Sequence, residues 1–163
     1  MVKVAIIHGG ELANDVAQQV AAKKPSTLSA VDVTIRNASE RPKTLLEHGS
    51  DTIICFIMQT IENASPTEEG GTLVRFFKRK THPEDLFREK FAFCVLGLGD
   101  SNLLLDRQTT SAKDCNQVAQ ELDSRLEALG GNRAHSLGMA DERHGLEEVE
   151  PWIDSFWASE CFK

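Results

Sequence analysis

Apolar positions follow two rhythms that alternate along this chain. Val2 to Ile7 is a continuous β-branched and aliphatic run, which predicts a buried strand. From Glu11 to Lys23, Leu12, Val16 and Val20, with Ala13, Ala17 and Ala21, recur at helical spacing on one face, and Pro25-Ser26 ends the pattern. Val31 to Ile35 alternates apolar with polar residues, as an edge strand half open to solvent does. Thr52 to Met58 has no polar alternation beyond its first residue and predicts a strand in the buried centre of a parallel sheet. A turn-rich stretch, Gln59 to Thr67, precedes a helix over Glu69–Lys80 led by Leu73, Phe76 and Phe77. Pro83 breaks the chain, and a short helical turn around Glu84–Arg88 leads into the strand Phe91–Leu96. A long loop over Leu103–Ser111 follows, with Thr110 or Ser111 as N-cap of a helix striped by Val118, Leu122, Leu126 and Leu129. Gly130-Gly131 stops that helix. Arg133–Met139 predicts a weaker last strand, and Leu146–Ala158 a last helix that Pro151 kinks or divides.

Five strands alternating with helices imply βαβ units, and so an α/β chain with helices on both faces of a parallel sheet. Its 163 residues suit one domain spanning the whole chain, 1–163, and no repeat, low-complexity tract or linker divides it. A composition 40% hydrophobic and 26% charged is that of a soluble globular protein. No apolar run approaches the roughly 20 residues that span a bilayer, so no membrane partner is expected. Met1 to Ile7 is too short, and too soon followed by His8-Gly9-Gly10, to be a secretory signal. The formal charge is −7, from 18 Lys+Arg against 25 Asp+Glu, which argues against nucleic acid and suits docking to a basic protein. Cys55, Cys94, Cys115 and Cys161 show no C-x-x-C spacing. Neither a zinc site nor a disulfide framework is expected, and the cytoplasm is the expected compartment.

The densest chemical signal is Phe91-Ala-Phe-Cys-Val-Leu-Gly-Leu-Gly-Asp-Ser-Asn102, a strand that runs into two glycines, an acid and two small polar residues. In open α/β sheets ligands bind just past the carboxyl ends of the strands, where glycines let the backbone approach a flat or charged group. Two further segments join it: Leu122-Asp-Ser-Arg-Leu-Glu-Ala-Leu-Gly-Gly131, and Ala140 to Trp157 with its Gly145-Leu-Glu-Glu148 run, Pro151-Trp152 and closing Trp157. Together they resemble the flavodoxin-like FMN domain of the diflavin reductases, over essentially the whole chain. The resemblance implies a flavodoxin-like three-layer sandwich, with a five-stranded parallel sheet of strand order 2-1-3-4-5 and the flavin at the strand tips. It also implies FMN as cofactor and single-electron transfer between a reductase and a protein acceptor, with no FAD- or NADPH-binding module in this chain.

On the family pattern three loops make the flavin site. The first, His8-Gly-Gly-Glu-Leu-Ala13, offers Gly9, Gly10 and Ala13 to the phosphate at a helix N-terminus. It is shorter than the family loop, has no hydroxyl and places Glu11 nearby; a tight strand-to-helix turn, with Glu11 favourable to the helix N-terminus, is the better account of it. The second, Gln59 to Pro66, offers Thr60, Ile61 and Asn63; Thr60 and Pro66 match the family, whereas its two glycines are replaced, and Asn63 best tolerates left-handed backbone. The third offers Gly97, Leu98, Gly99, Asp100, Asn102 and Leu103, the last where the family stacks a Tyr, a residue this chain lacks altogether. Asp141 and Glu142 match an acidic cluster of the family, followed here by Arg143 and His144. Two readings stay open: an FMN-dependent electron carrier, or a flavin-free interaction or regulatory domain of the same fold. No nucleophile–His–acid arrangement or P-loop lysine supports a hydrolase or phosphotransferase.

Overall fold

Three near-continuous apolar runs occupy the middle of the sheet, because only there are both faces of a strand covered. A computed structural model describes residues 2–62, 64–103 and 112–163. In it the central strands are β1 (Lys3–Gly9), β3 (Thr52–Ile61) and β5 (Ala92–Gly99), each buried along nearly its whole length. β2 (Asp32–Asn37) alternates between exposed and half-buried positions and pairs with β1 alone, as its sequence predicts for an edge. The path through the sheet is β2-β1-β3-β5-β6, with β6 at Asn132–Arg133.

Among the described residues the sheet has seven strands, so the five-stranded 2-1-3-4-5 expectation is corrected in count and numbering. β4 (Ser65–Pro66) folds the segment after β3 back antiparallel onto Thr60 and Ile61. The single last strand expected over Arg133–Met139 is two pieces, β6 and β7 (Gly138–Asp141), both parallel to β5. The chain leaves the ladder between them, where the Ser136 carbonyl accepts the Trp152 indole N–H at 3.0 Å instead of a strand amide.

Alternate side chains of the strands feed two cores. Val4, Ile6, Cys55, Ile57 and Leu96 pack with α1 (Glu11–Ala22) and α4 (Val149–Trp157). Ala5, Ile7, Ile54, Phe56 and Val95 pack on the opposite face with α2 (Glu68–Lys78) and α3 (Gln117–Ala128). These are the three layers that the alternating pattern predicts. Gly130, at φ +87°, ends α3; its N–H and that of Gly131 donate to the Glu127 and Leu126 carbonyls, a Schellman closure.

Two local expectations change. The last helix starts at Val149, which puts Pro151 in its first turn, where a missing N–H has no intrahelical partner to lose. Pro151 therefore opens the helix and does not kink it. Residues 84–88 form hydrogen-bonded turns, Leu86 N–H to Pro83 O and Arg88 N–H to Asp85 O, in place of a helical turn. The expected cap at Thr110 or Ser111 lies outside the described residues. No helix among the described residues is long and apolar enough to cross a membrane.

Phe56 anchors α2 to the sheet. It is fully buried and lies edge-on to Phe77, at 6.3 Å between centroids, and 6.4 Å from Phe91. Phe56→Ala should remove about 3–5 kcal/mol of stability, the usual cost of emptying a large core site, read from the midpoint of urea unfolding with an unchanged slope.

Candidate functional site

Register brings the three loops to one edge. β1 and β3 run in parallel to Gly9↔Met58, and β3 and β5 to Gln59↔Leu98, so all three strands end side by side. The Gly9–Gly10 turn, the Gln59–Ile61 strand end and the Gly97–Leu103 turn therefore adjoin, as the family pattern requires. Asn63 and residues 104–111 lie outside the described residues.

At the first loop, Gly10 turns the chain from β1 into α1 at φ +133°, a conformation that favours glycine. A Cβ there would also collide with the Gln59 side chain. Gln59 reaches across from β3, and its Oε1 accepts the Ala13 N–H at 3.0 Å. Glu69 reaches from the first turn of α2, and its Oε2 accepts the Gly10 N–H at 3.1 Å. The Gly10 and Ala13 amides are thus already held by side chains of the chain itself. Glu11 is the first residue of α1, at the positive end of the helix dipole. His8 is 7% exposed; burial holds its pKa below the usual imidazole value, against the opposing pull of Glu69 and Glu40.

Thr60 and the two glycines of the third loop serve α3. The buried Thr60 hydroxyl accepts the Val118 N–H at 3.1 Å, capping a helix whose preceding residue, Asn116, makes no side-chain cap. Asn116 instead donates from Nδ2 to the Ala112 and Ala140 carbonyls, at 2.7 and 2.9 Å. A Cβ on Gly97 would lie 2.6 Å from that of Ala119, and one on Gly99 would collide with the Cys115 carbonyl. Close approach of the α3 segment demands both glycines. Leu98 points to the opposite core and is buried there.

The rest of the third loop is a tight turn tied to the closing loop. Asp100 Oδ1 accepts the Asn102 N–H at 2.9 Å, and the Leu103 N–H donates to the Asp100 carbonyl at 3.0 Å. Asp141, fully buried at the end of β7, accepts the Ser101 and Arg143 N–H groups on Oδ1, at 2.9 and 3.0 Å. Burial opposes its ionisation, yet these amide hydrogen bonds prevail and hold its pKa below the usual carboxylate value. His144 Nε2 stands 3.8 Å from Asp141 Oδ2. Two large apolar side chains remain in the open at this edge, Ile61 at 38% and Leu103 at 47% exposure.

A family model described as Flavodoxin matches residues 11–152. The chain belongs to the flavodoxin family. It is 30% identical over 148 residues to the methionine synthase reductase of Mus musculus, across 90% of this chain and 19% of that protein. It is 33% identical over 111 residues to NADPH-dependent diflavin oxidoreductase 1 of Danio rerio, across 66% of this chain and 17% of that protein. The resemblance to the diflavin reductases is borne out, and the chain spans less than a fifth of these relatives' length. A flavodoxin variant from Pseudomonas aeruginosa shares the fold, with a TM-score of 0.64 at 18% identity over 96% of this chain and 97% of that one.

The residues that sequence reasoning left out of the site are Gln59 and Glu69. Glu69 reads locally as an acid favouring the first turn of α2, and Gln59 as the last polar residue before a loop. Only the parallel arrangement of β1 and β3 carries them to the N-terminus of α1.

Thr60→Val should cost about 1 kcal/mol in chemical denaturation, because the buried Val118 N–H loses its acceptor. Asp141→Asn should destabilise the fold at pH 7, where the wild-type carboxylate is ionised. Since the folded pKa is depressed, that advantage is present above the unfolded pKa and is lost as pH falls through the folded one. Melting temperatures of the two proteins should therefore draw together as the pH falls below about 4 and meet only below the depressed folded-state pKa.

Proposed function

We propose that this chain is a flavin-binding electron-transfer domain that passes electrons between a reductase and a protein acceptor. The observation that carries the reading is the pair Ile61 and Leu103, large apolar side chains held open at the tips of adjoining strands in a flavodoxin fold. The carboxyl ends of the strands are where open α/β sheets take planar ligands. Curated relatives named as methionine synthase reductase and diflavin oxidoreductase support the redox direction.

The FMN that the family implies fits this edge in one half only. Ile61 and Leu103 suit the faces or rim of a ring, and the Asp100–Leu103 turn and the end of β3 supply backbone beside it. The phosphate half does not fit, because Glu69 and Gln59 hold the Gly10 and Ala13 amides. A bound flavin supplies the one-electron chemistry; the chain supplies an apolar cover and fixed backbone dipoles. The charge of −7 suits docking to a basic redox partner, and we place the chain in the cytoplasm on its unbridged thiols.

Titration into free flavin should quench its fluorescence and shift its visible absorbance. Ile61→Asp and Leu103→Asp should each weaken that binding by about tenfold or more, with far-UV circular dichroism unchanged, since a charge replaces apolar cover on an exposed position. An unaltered flavin spectrum at high protein concentration would overturn the reading and leave a flavin-free interaction domain.

A further inference from the structure

We propose that Glu69 sets the ligand specificity of this site, so that it takes a flavin with an uncharged polyol tail in preference to one with a 5′-phosphate. The inference rests on the flavin reading above and narrows it to riboflavin-like ligands.

Three observations carry it. The N-terminal turn of α1 is filled from within: Glu69 Oε2 lies 3.1 Å from Gly10 N, and Gln59 Oε1 lies 3.0 Å from Ala13 N. The filling is built into the backbone, because Gln59 occupies the space that any Cβ at Gly10 would need, and Gly10 sits at φ +133°. The charge is also of the wrong sign for a phosphate. Glu11 opens α1, and Glu68 and Glu69 open α2. Among the described residues, no Lys or Arg ion-pairs with Glu11, Glu68 or Glu69.

Donor and acceptor chemistry then separates the two ligands. A phosphate monoester near pH 7 carries a charge of about −1.5 to −2 and presents acceptor oxygens. Here it would meet the acceptor oxygens of Glu69 and Gln59 where the Gly10 and Ala13 amides would otherwise face it. A polyol hydroxyl donates as well as accepts, so it can hydrogen-bond to the Glu69 carboxylate or the Gln59 carbonyl without displacing either. For the phosphate to bind as it does at an open helix N-terminus, Glu69 must swing out and its charge must still be tolerated nearby.

The test is equilibrium binding of riboflavin and of FMN to the whole chain and to Glu69→Gln, with Glu69→Ala as a second variant and circular dichroism as the check on folding. Riboflavin should bind wild type at least about tenfold more tightly than FMN. Either variant should tighten FMN by about tenfold while riboflavin changes by less than about threefold. Inorganic phosphate, at matched ionic strength, should raise the melting temperature of Glu69→Gln and leave wild type unmoved. If wild type binds FMN as tightly as riboflavin, or if the two affinities keep the same ratio in both variants, the preference is overturned while the flavin reading stands. If neither flavin binds wild type or either variant, both are overturned.

Discussion

Where parallel strands end and helices begin, backbone N–H groups are released that no ladder or helix can satisfy, and each must find an acceptor. The carboxyl edge of this sheet is organised by that requirement. Gly10 and Ala13 donate to Glu69 and Gln59, Val118 to Thr60, and Ser101 and Arg143 to Asp141. Apart from the local Arg143–Asp141 cap, each acceptor comes from a different element than its donor, so the same bonds that satisfy the amides also lash the loops together. The site's shape follows from how the chain solved this problem for itself.

That solution changes what a ligand gains by arriving. A hydrogen bond exchanged for another of similar quality is worth little net, whereas a buried amide left without any acceptor costs about 1–3 kcal/mol. At an open helix N-terminus an anion meets amides that are otherwise paired only with water. Here the Gly10 and Ala13 amides are already paired with protein oxygens, and an anion must release the Glu69 carboxylate to reach the first of them. The helix dipole of α1 is unchanged, but its benefit is already drawn upon by Glu11 and Glu69.

The architecture was readable in the chain because burial on both faces and burial on one leave different patterns. Thr52–Met58 and Phe91–Leu96 lack polar alternation and became central strands; Val31–Ile35 alternates and became the edge. The division of the last strand was not readable, since it depends on the Trp152 indole meeting the Ser136 carbonyl across 16 residues. Closure of the first loop was hidden for the same reason. Gln59 lies 46 residues from Ala13, and Glu69 lies 59 residues from Gly10. Local propensity speaks of neither pair. Family pattern, in turn, drew Thr60, Gly97 and Gly99 toward a ligand, and the packing of α3 gives each of them a sufficient task of its own.

This divides the candidate residues by what their presence can argue. A glycine that a neighbouring helix requires would be kept whether or not a ring ever lay beside it, so Gly97 and Gly99 are neutral on the cofactor. Ile61 and Leu103 are different. Folding leaves each substantially in water, although complete burial of such a side chain is worth about 1.5–3 kcal/mol. Scattered exposed apolar residues are common on any surface and need no ligand to explain them. These two, however, stand near the ends of strands that run side by side, Leu103 in a turn whose Asn102 and Leu103 amides are held by Asp100. On the proposal made above, an edge that sets carboxylates against an anion and leaves apolar side chains in the open suits a flat, weakly charged body, and the isoalloxazine ring of a flavin is one.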